Sequence, residues 1–133
     1  MDSEAKLPLK GRFTVTPTGG TAFSPNDIDV AHNPNSGRIS DLIAVCLTES
    51  PRSSFRVTFG KGLQEGLNIL SYPEDFPDVF MQWVYSQNGE IFNATEGKLY
   101  ITVSSPDKKL VGRVEFIDKG LISLKAVFDL NWL

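Results

Sequence analysis

The residues able to do chemistry are few, and they sit in two places. His32 is the single histidine, and Asp27, Asp29 and Asn33 stand close to it in the chain. A carboxylate beside an imidazole can orient it for proton transfer, and clustered side-chain oxygens can begin a cation site. The run Asp27-x-Asp29-x-Ala31 fails the calcium-loop pattern at its third ligand, and no glutamate closes such a loop. Zinc needs several His or Cys ligands, and the chain has one of each. No metal and no cofactor are expected.

The second place is Glu74 and Asp75, bracketed by Pro73 and Pro77, with Asp78 directly after. Paired carboxylates divide acid and base roles when their surroundings split their pKa values. Proline-bracketed acids read more simply as a solvated turn. No catalytic residue is assigned. An enzyme made from this chain would need a dispersed site that brings His32 to a carboxylate such as Asp29 or Glu74. Cys46 lies between Val45 and Leu47. A reactive thiolate needs basic neighbours, so this thiol is expected to be buried and inert. Gly60-Lys61-Gly62 lacks the spacing and the following helix of a phosphate loop.

The elements that would position these groups are strands. LKGRFTVTP puts Leu9, Phe13 and Val15 in one register, with Gly11 between them, and Arg12, Thr14 and Thr16 in the other. SSFRVTFG, KLYITVSS and KLVGRVEFI alternate in the same way, with Gly112 on the inward side of the last. No window keeps helical spacing for ten residues; one-turn pieces near Ser24–Asp29 and Glu74–Val79 are the only candidates. Asn88-Gly89 is the strongest hairpin signal, and Ser105-Pro106-Asp107-Lys108 is a turn between two clean strands. Pro17–Gly37 reads as one long polar loop, the natural place for an arm or lid. The expected fold is a single all-β domain over 1–133, an antiparallel β-sandwich of eight or nine strands with jelly-roll or Greek-key connections. A small β-barrel is the alternative that alternation does not separate from it.

Three segments carry apolar side chains on both faces: ISDLIAVCL, VFMQWVYS and LISLKAVFDLNWL. In the second, Met81, Trp83 and Tyr85 stand opposite Phe80 and Val84. A strand buried on both faces needs cover on both, from a long loop, a second subunit or a ligand. Met81, Trp83, Tyr85 and the outward Tyr100 are therefore the interface or ligand candidates; Asp27, Asp29, His32 and Glu74 are the polar-site candidates.

Composition narrows the partners. The net charge is −3 and the 13 Lys and Arg are scattered. Phosphate binding needs concentrated positive charge, so no nucleic-acid partner is expected. No 18-residue apolar stretch exists and MDSEAKLPLK contains no signal-like apolar region, so no membrane association is expected. One cysteine allows no internal disulfide, which suits a cytoplasmic protein. The leading expectation is a noncatalytic all-β module mediating self-association, as a homodimer, or binding another protein. The alternatives are a small-ligand or carbohydrate binder with an aromatic-lined pocket, and the dispersed-site enzyme.

Overall fold

A computed structural model describes residues 6–18, 21–48, 52–59, 62–75, 83–87, 89–119 and 122–132, the side chains at 6–8 and 122 aside. These residues form ten strands: β1 (Lys6–Pro17), β2 (Asp27–His32), β3 (Ile39–Cys46), β4 (Ser53–Thr58), β5 (Gly66–Tyr72), β6 (Trp83–Gln87), β7 (Glu90–Asn93), β8 (Glu96–Ser104), β9 (Lys109–Asp118) and β10 (Ile122–Trp132). No helix occurs among them, and none is therefore long and apolar enough to cross a membrane.

The chain is all-β and antiparallel. The ten strands lie in one sheet, in the order β5-β8-β9-β10-β1-β2-β3-β4-β6-β7. This sheet curls into a half-barrel. Its geometry is thus nearer the barrel alternative than two stacked sheets. The reason lies in the inner face. Phe13, Phe128, Val114, Leu99, Leu42, Phe55 and Tyr85 all fall on one side of the ladder, and each is buried. An apolar face this wide must be covered, and among the described residues its own far strands do so.

Ring contacts measure the curl. Phe55 on β4 and Phe116 on β9 are five strand steps apart, about 24 Å on a flat sheet. Their ring centroids are 6.5 Å apart. Phe13 joins the two sides, at 6.1 Å from Phe55 and 5.2 Å from Phe128. Tyr72 on β5 and Trp83 on β6 are eight steps apart, yet their rings stack at 4.9 Å. The curl therefore brings the two margins of the sheet together at one corner. The chain crosses that corner from β7 to β8: the Ala94 N–H donates to the Trp83 carbonyl at 2.9 Å, extending the β6–β7 pairing, and the Thr95 N–H to the Ile117 carbonyl at 2.8 Å, extending the β8–β9 pairing.

Two glycines make this closeness sterically allowed. A side chain at Gly97 would run into the Glu115 carbonyl and into the Trp83 indole, whose nearest carbon would lie at 2.6 Å. One at Gly112 would meet the Tyr100 carbonyl and the Ile101 backbone. Each glycine faces a carbonyl of a neighbouring strand, so a methyl group would have to force the ladder apart.

The turn signals resolve as follows. β6 and β7 form a hairpin in which Gln87 pairs with Glu90, and Gly89 has φ +80°. Ser105–Lys108 turns β8 into β9, with the Lys108 N–H donating to the Ser105 carbonyl at 3.2 Å. The stretch 17–37 is not one polar loop. It contains β2, whose Ile28 and Val30 are buried, and Phe23, which bridges Val15. Aspartates at the outward positions of β2 mask its alternation in a sequence already rich in Asn, Pro and Ser. The Ser24–Asp29 piece expected as a helical turn runs into this strand. Phe76–Met81, Asn88, Leu121 and Leu133 lie outside the described residues, as do the turn residues at 19–20, 60–61 and 120.

Trp83 is fully buried between Tyr72 and Gly97. Trp83→Ala should destabilise the fold by about 3–5 kcal/mol in urea unfolding, the usual cost of emptying a large aromatic site. Gly112→Ala should cost about 2 kcal/mol or more through overpacking.

Candidate functional site

Of the four aromatic-strand and outward candidates, Trp83 and Tyr85 turn inward. Both are fully buried, and Tyr85 packs against Phe23, Phe92 and Phe116 at 6.0, 5.8 and 6.4 Å. Its phenol donates to Gln87 Oε1. Their cover is therefore the remainder of this chain, and neither side chain is presented to a partner. Met81 lies outside the described residues. Tyr100 is on the outer face, as its register on β8 implies.

The polar candidates are not brought together. Asp27 and Asp29 sit on the outer face of β2, opposite Val45 and Ile43 of β3. His32 ends β2 at one mouth of the half-barrel. Glu74 follows β5 at the other end, and the seven residues of that strand hold the two about 20 Å apart. Among the described residues no three His, Cys, Asp or Glu side chains are placed to hold a metal. Cys46 is buried as a free thiol.

The outer face of β5-β8-β9-β10 is the most unusual surface. Cross-strand register places Leu67, Thr102 and Val111 in one row, and Ile69, Tyr100, Arg113 and Val127 in the next. Leu67 is 64 % exposed, Ile69 52 % and Val127 50 %. The Arg113 guanidinium lies 4.1 Å from the centre of the Tyr100 ring and the Lys98 ammonium 5.6 Å from it. Such cation–π contacts fix the ring flat against the sheet. Tyr100 and its two cations thus stand between the apolar residues of β5 and Val127 of β10.

β5 carries Leu67 and Ile69 and is also a margin of the sheet: among the described residues, β8 is its only strand neighbour. The Ser71 N–H donates to Asp75 Oδ2 at 2.7 Å, and the Ser71 carbonyl accepts from the Asp75 N–H at 2.9 Å. The Ser71 backbone therefore points away from β8. In an antiparallel ladder this alternates, so the backbone groups of Leu67 and Ile69 point the same way. Asn68, between them, turns inward. Its amide donates to the carbonyls of Gln64, Gly66 and Ile101, and its oxygen accepts from the Gln64 N–H. That network pins β5 to β8.

Leu67 and Ile69 were not singled out from sequence. The signal was there, as Leu67 and Ile69 alternate with Asn68 and Leu70, but it reads as an ordinary strand with its polar residue outward. The satisfied amide of Asn68 reverses that orientation.

A shallow cleft of about 300 Å³ lies where β5 ends, with Tyr72, Glu74, Glu96, Lys98 and Glu115 on its walls. Burial holds the Tyr72 phenol above the usual tyrosine pKa. A raised phenol means that the unfolded chain ionises first as pH rises. Tyr72 thus favours the folded state below the ordinary tyrosine pKa, and the contribution is lost above it. Thermal unfolding from pH 8 to 11 should show a falling Tm near the top of that range, with a shallower fall in Tyr72→Phe.

No family model, no curated protein and no solved structure matches the chain.

Proposed function

We propose that the chain is a noncatalytic binding module that acts by association, with a second copy of itself as partner and β5 as the contact strand. The observation that carries this reading is the character of that margin. Gly66–Tyr72 contains no Lys, Arg, Asp, Glu or Pro, and it exposes Leu67 and Ile69 beside backbone groups that face away from β8. Strands left at a sheet edge are normally blunted by charge, proline or a bulge, because a bare edge recruits another strand. Among the described residues, Asp75 caps this edge at Ser71, and none of these devices is used at Leu67 and Ile69.

A second β5 meets this edge antiparallel about a twofold axis through Asn68, with Leu67 of one copy opposite Ile69 of the other. Isologous contacts of this kind are the commonest way in which small chains pair. Val111 and Val127 lie further out on the same face, with Tyr100 and Arg113 between Ile69 and Val127. The candidate aromatic strand β6 takes no part, since its Trp83 and Tyr85 are core residues. A buried free thiol at Cys46 fits a reducing compartment, which supports a cytoplasmic setting.

Size-exclusion chromatography with light scattering across a wide concentration range should show a concentration-dependent dimer. The double variant Leu67→Lys/Ile69→Lys should raise the dimer dissociation constant by at least about tenfold, roughly 1.4 kcal/mol, with Tm unchanged when both proteins are compared at concentrations where they are monomeric. A strict monomer at every concentration would sink the reading.

A further inference from the structure

The other mouth of the half-barrel is built differently, and it holds a groove of about 310 Å³. Its floor is apolar, from the buried Ile39, Leu63 and Val103. Trp132, near the end of β10, forms a half-buried aromatic wall. Residues of opposite character complete the lining: His32, Arg38 and Glu65.

The rim is tied before any ligand arrives. In the turn from β2 to β3, the Asn33 N–H donates to the Arg38 carbonyl at 2.8 Å and the Gly37 N–H to the Asn33 carbonyl at 2.7 Å. Asn33 Oδ1 accepts from the Asn35 N–H at 2.9 Å. Gly62, with φ +98°, lies so close that a side chain there would run into Arg38. The Leu63 N–H donates to the Ile39 carbonyl at 2.9 Å, joining the segment before β5 to β3. Ser105 donates its N–H to Glu65 Oε2 at 2.9 Å and its hydroxyl to Oε1 at 2.5 Å. The Trp132 N–H donates to the Lys108 carbonyl at 3.0 Å. Three connections and the last strand are thereby locked together, which lowers the ordering cost of binding.

We propose that this groove binds a neutral sugar, as a single ring or the end of a short saccharide. One basic and one acidic residue, Arg38 and Glu65, line the groove, so its lining carries no net charge that would favour an anion or a cation. His32 and Arg38 bring donors for sugar hydroxyl groups above the apolar floor, while the Glu65 carboxylate is held by Ser105. The Trp132 indole is a surface for the C–H face of a pyranose. The volume sits at the small end of ligand pockets, where one or two rings fit. The site shares no residue with the β5 contact and goes beyond the association reading.

The test is a two-dimensional amide NMR titration of the full chain with glucose, galactose, N-acetylglucosamine and maltose, alongside inorganic phosphate and glycine. At least one neutral sugar should give saturable shifts centred on Arg38, Leu63, Ser105 and Trp132. Arg38→Ala, at an exposed position, should weaken that binding at least about tenfold. Trp132→Ala should do the same, while Trp132→Phe, which keeps a ring and the fold, should retain most of it. Leu67→Lys/Ile69→Lys should bind the sugar unchanged. Saturation by phosphate or glycine alone, saturable shifts away from the groove, or no saturable response would overturn the proposal.

Discussion

One wide apolar face has to cover itself, and the rest of the molecule follows from that. Ten strands in a single antiparallel sheet present their large side chains to one side, with no helix among the described residues to pack on them. Curling is the available solution. It brings Phe55 against Phe116 and Tyr72 against Trp83, pairs that a flat sheet would keep tens of ångströms apart. Removing this face from water is the dominant favourable term, and aromatic rings contribute the largest areas to it.

Close approach is the cost of the curl, and it is met where side chains are missing. Gly97 leaves room for the Trp83 indole, and Gly112 for the neighbouring β8 backbone. The same geometry makes the margins of the sheet unequal. At the β5 end, Tyr72 stacks across to Trp83 and closes one corner. The strand that supplies Tyr72 still exposes Leu67 and Ile69 along its length. Inner closure and outer exposure are thus consequences of one strand's alternation, with Asn68 placed inside because its amide is fully bonded there.

The two mouths of the half-barrel contrast in their chemistry. Around Glu74, three carboxylates and a lysine flank a shallow, solvated cleft. Around His32, hydrogen bonds knit three connections into a fixed rim, with one carboxylate consumed in holding Ser105. His32 and Glu74 belong to opposite mouths. The strands between them are stiff, which separates the two groups that a dispersed catalytic site would have joined.

The sequence by itself determined the all-β antiparallel class and the inward registers of β1, β4, β8 and β9. Period-two alternation is a local property, written in consecutive residues. It also determined the hairpin at Gly89 and the turn at Ser105–Lys108, because turn chemistry is local too. It did not reveal β2, where outward aspartates disguise the alternation inside a polar stretch. Which face of VFMQWVYS is the core face was decided only by the tertiary structure. Trp83 and Tyr85 could have met a partner; the curl carries β6 round to β5 and β8 and spends both rings on the interior. The same holds for Arg38, Glu65 and Trp132, which are remote in sequence and share a groove only because antiparallel strands return their ends to one mouth. Contacts across eight strand steps depend on how far a sheet bends, and bending is a sum over every strand in it, not a property of any one.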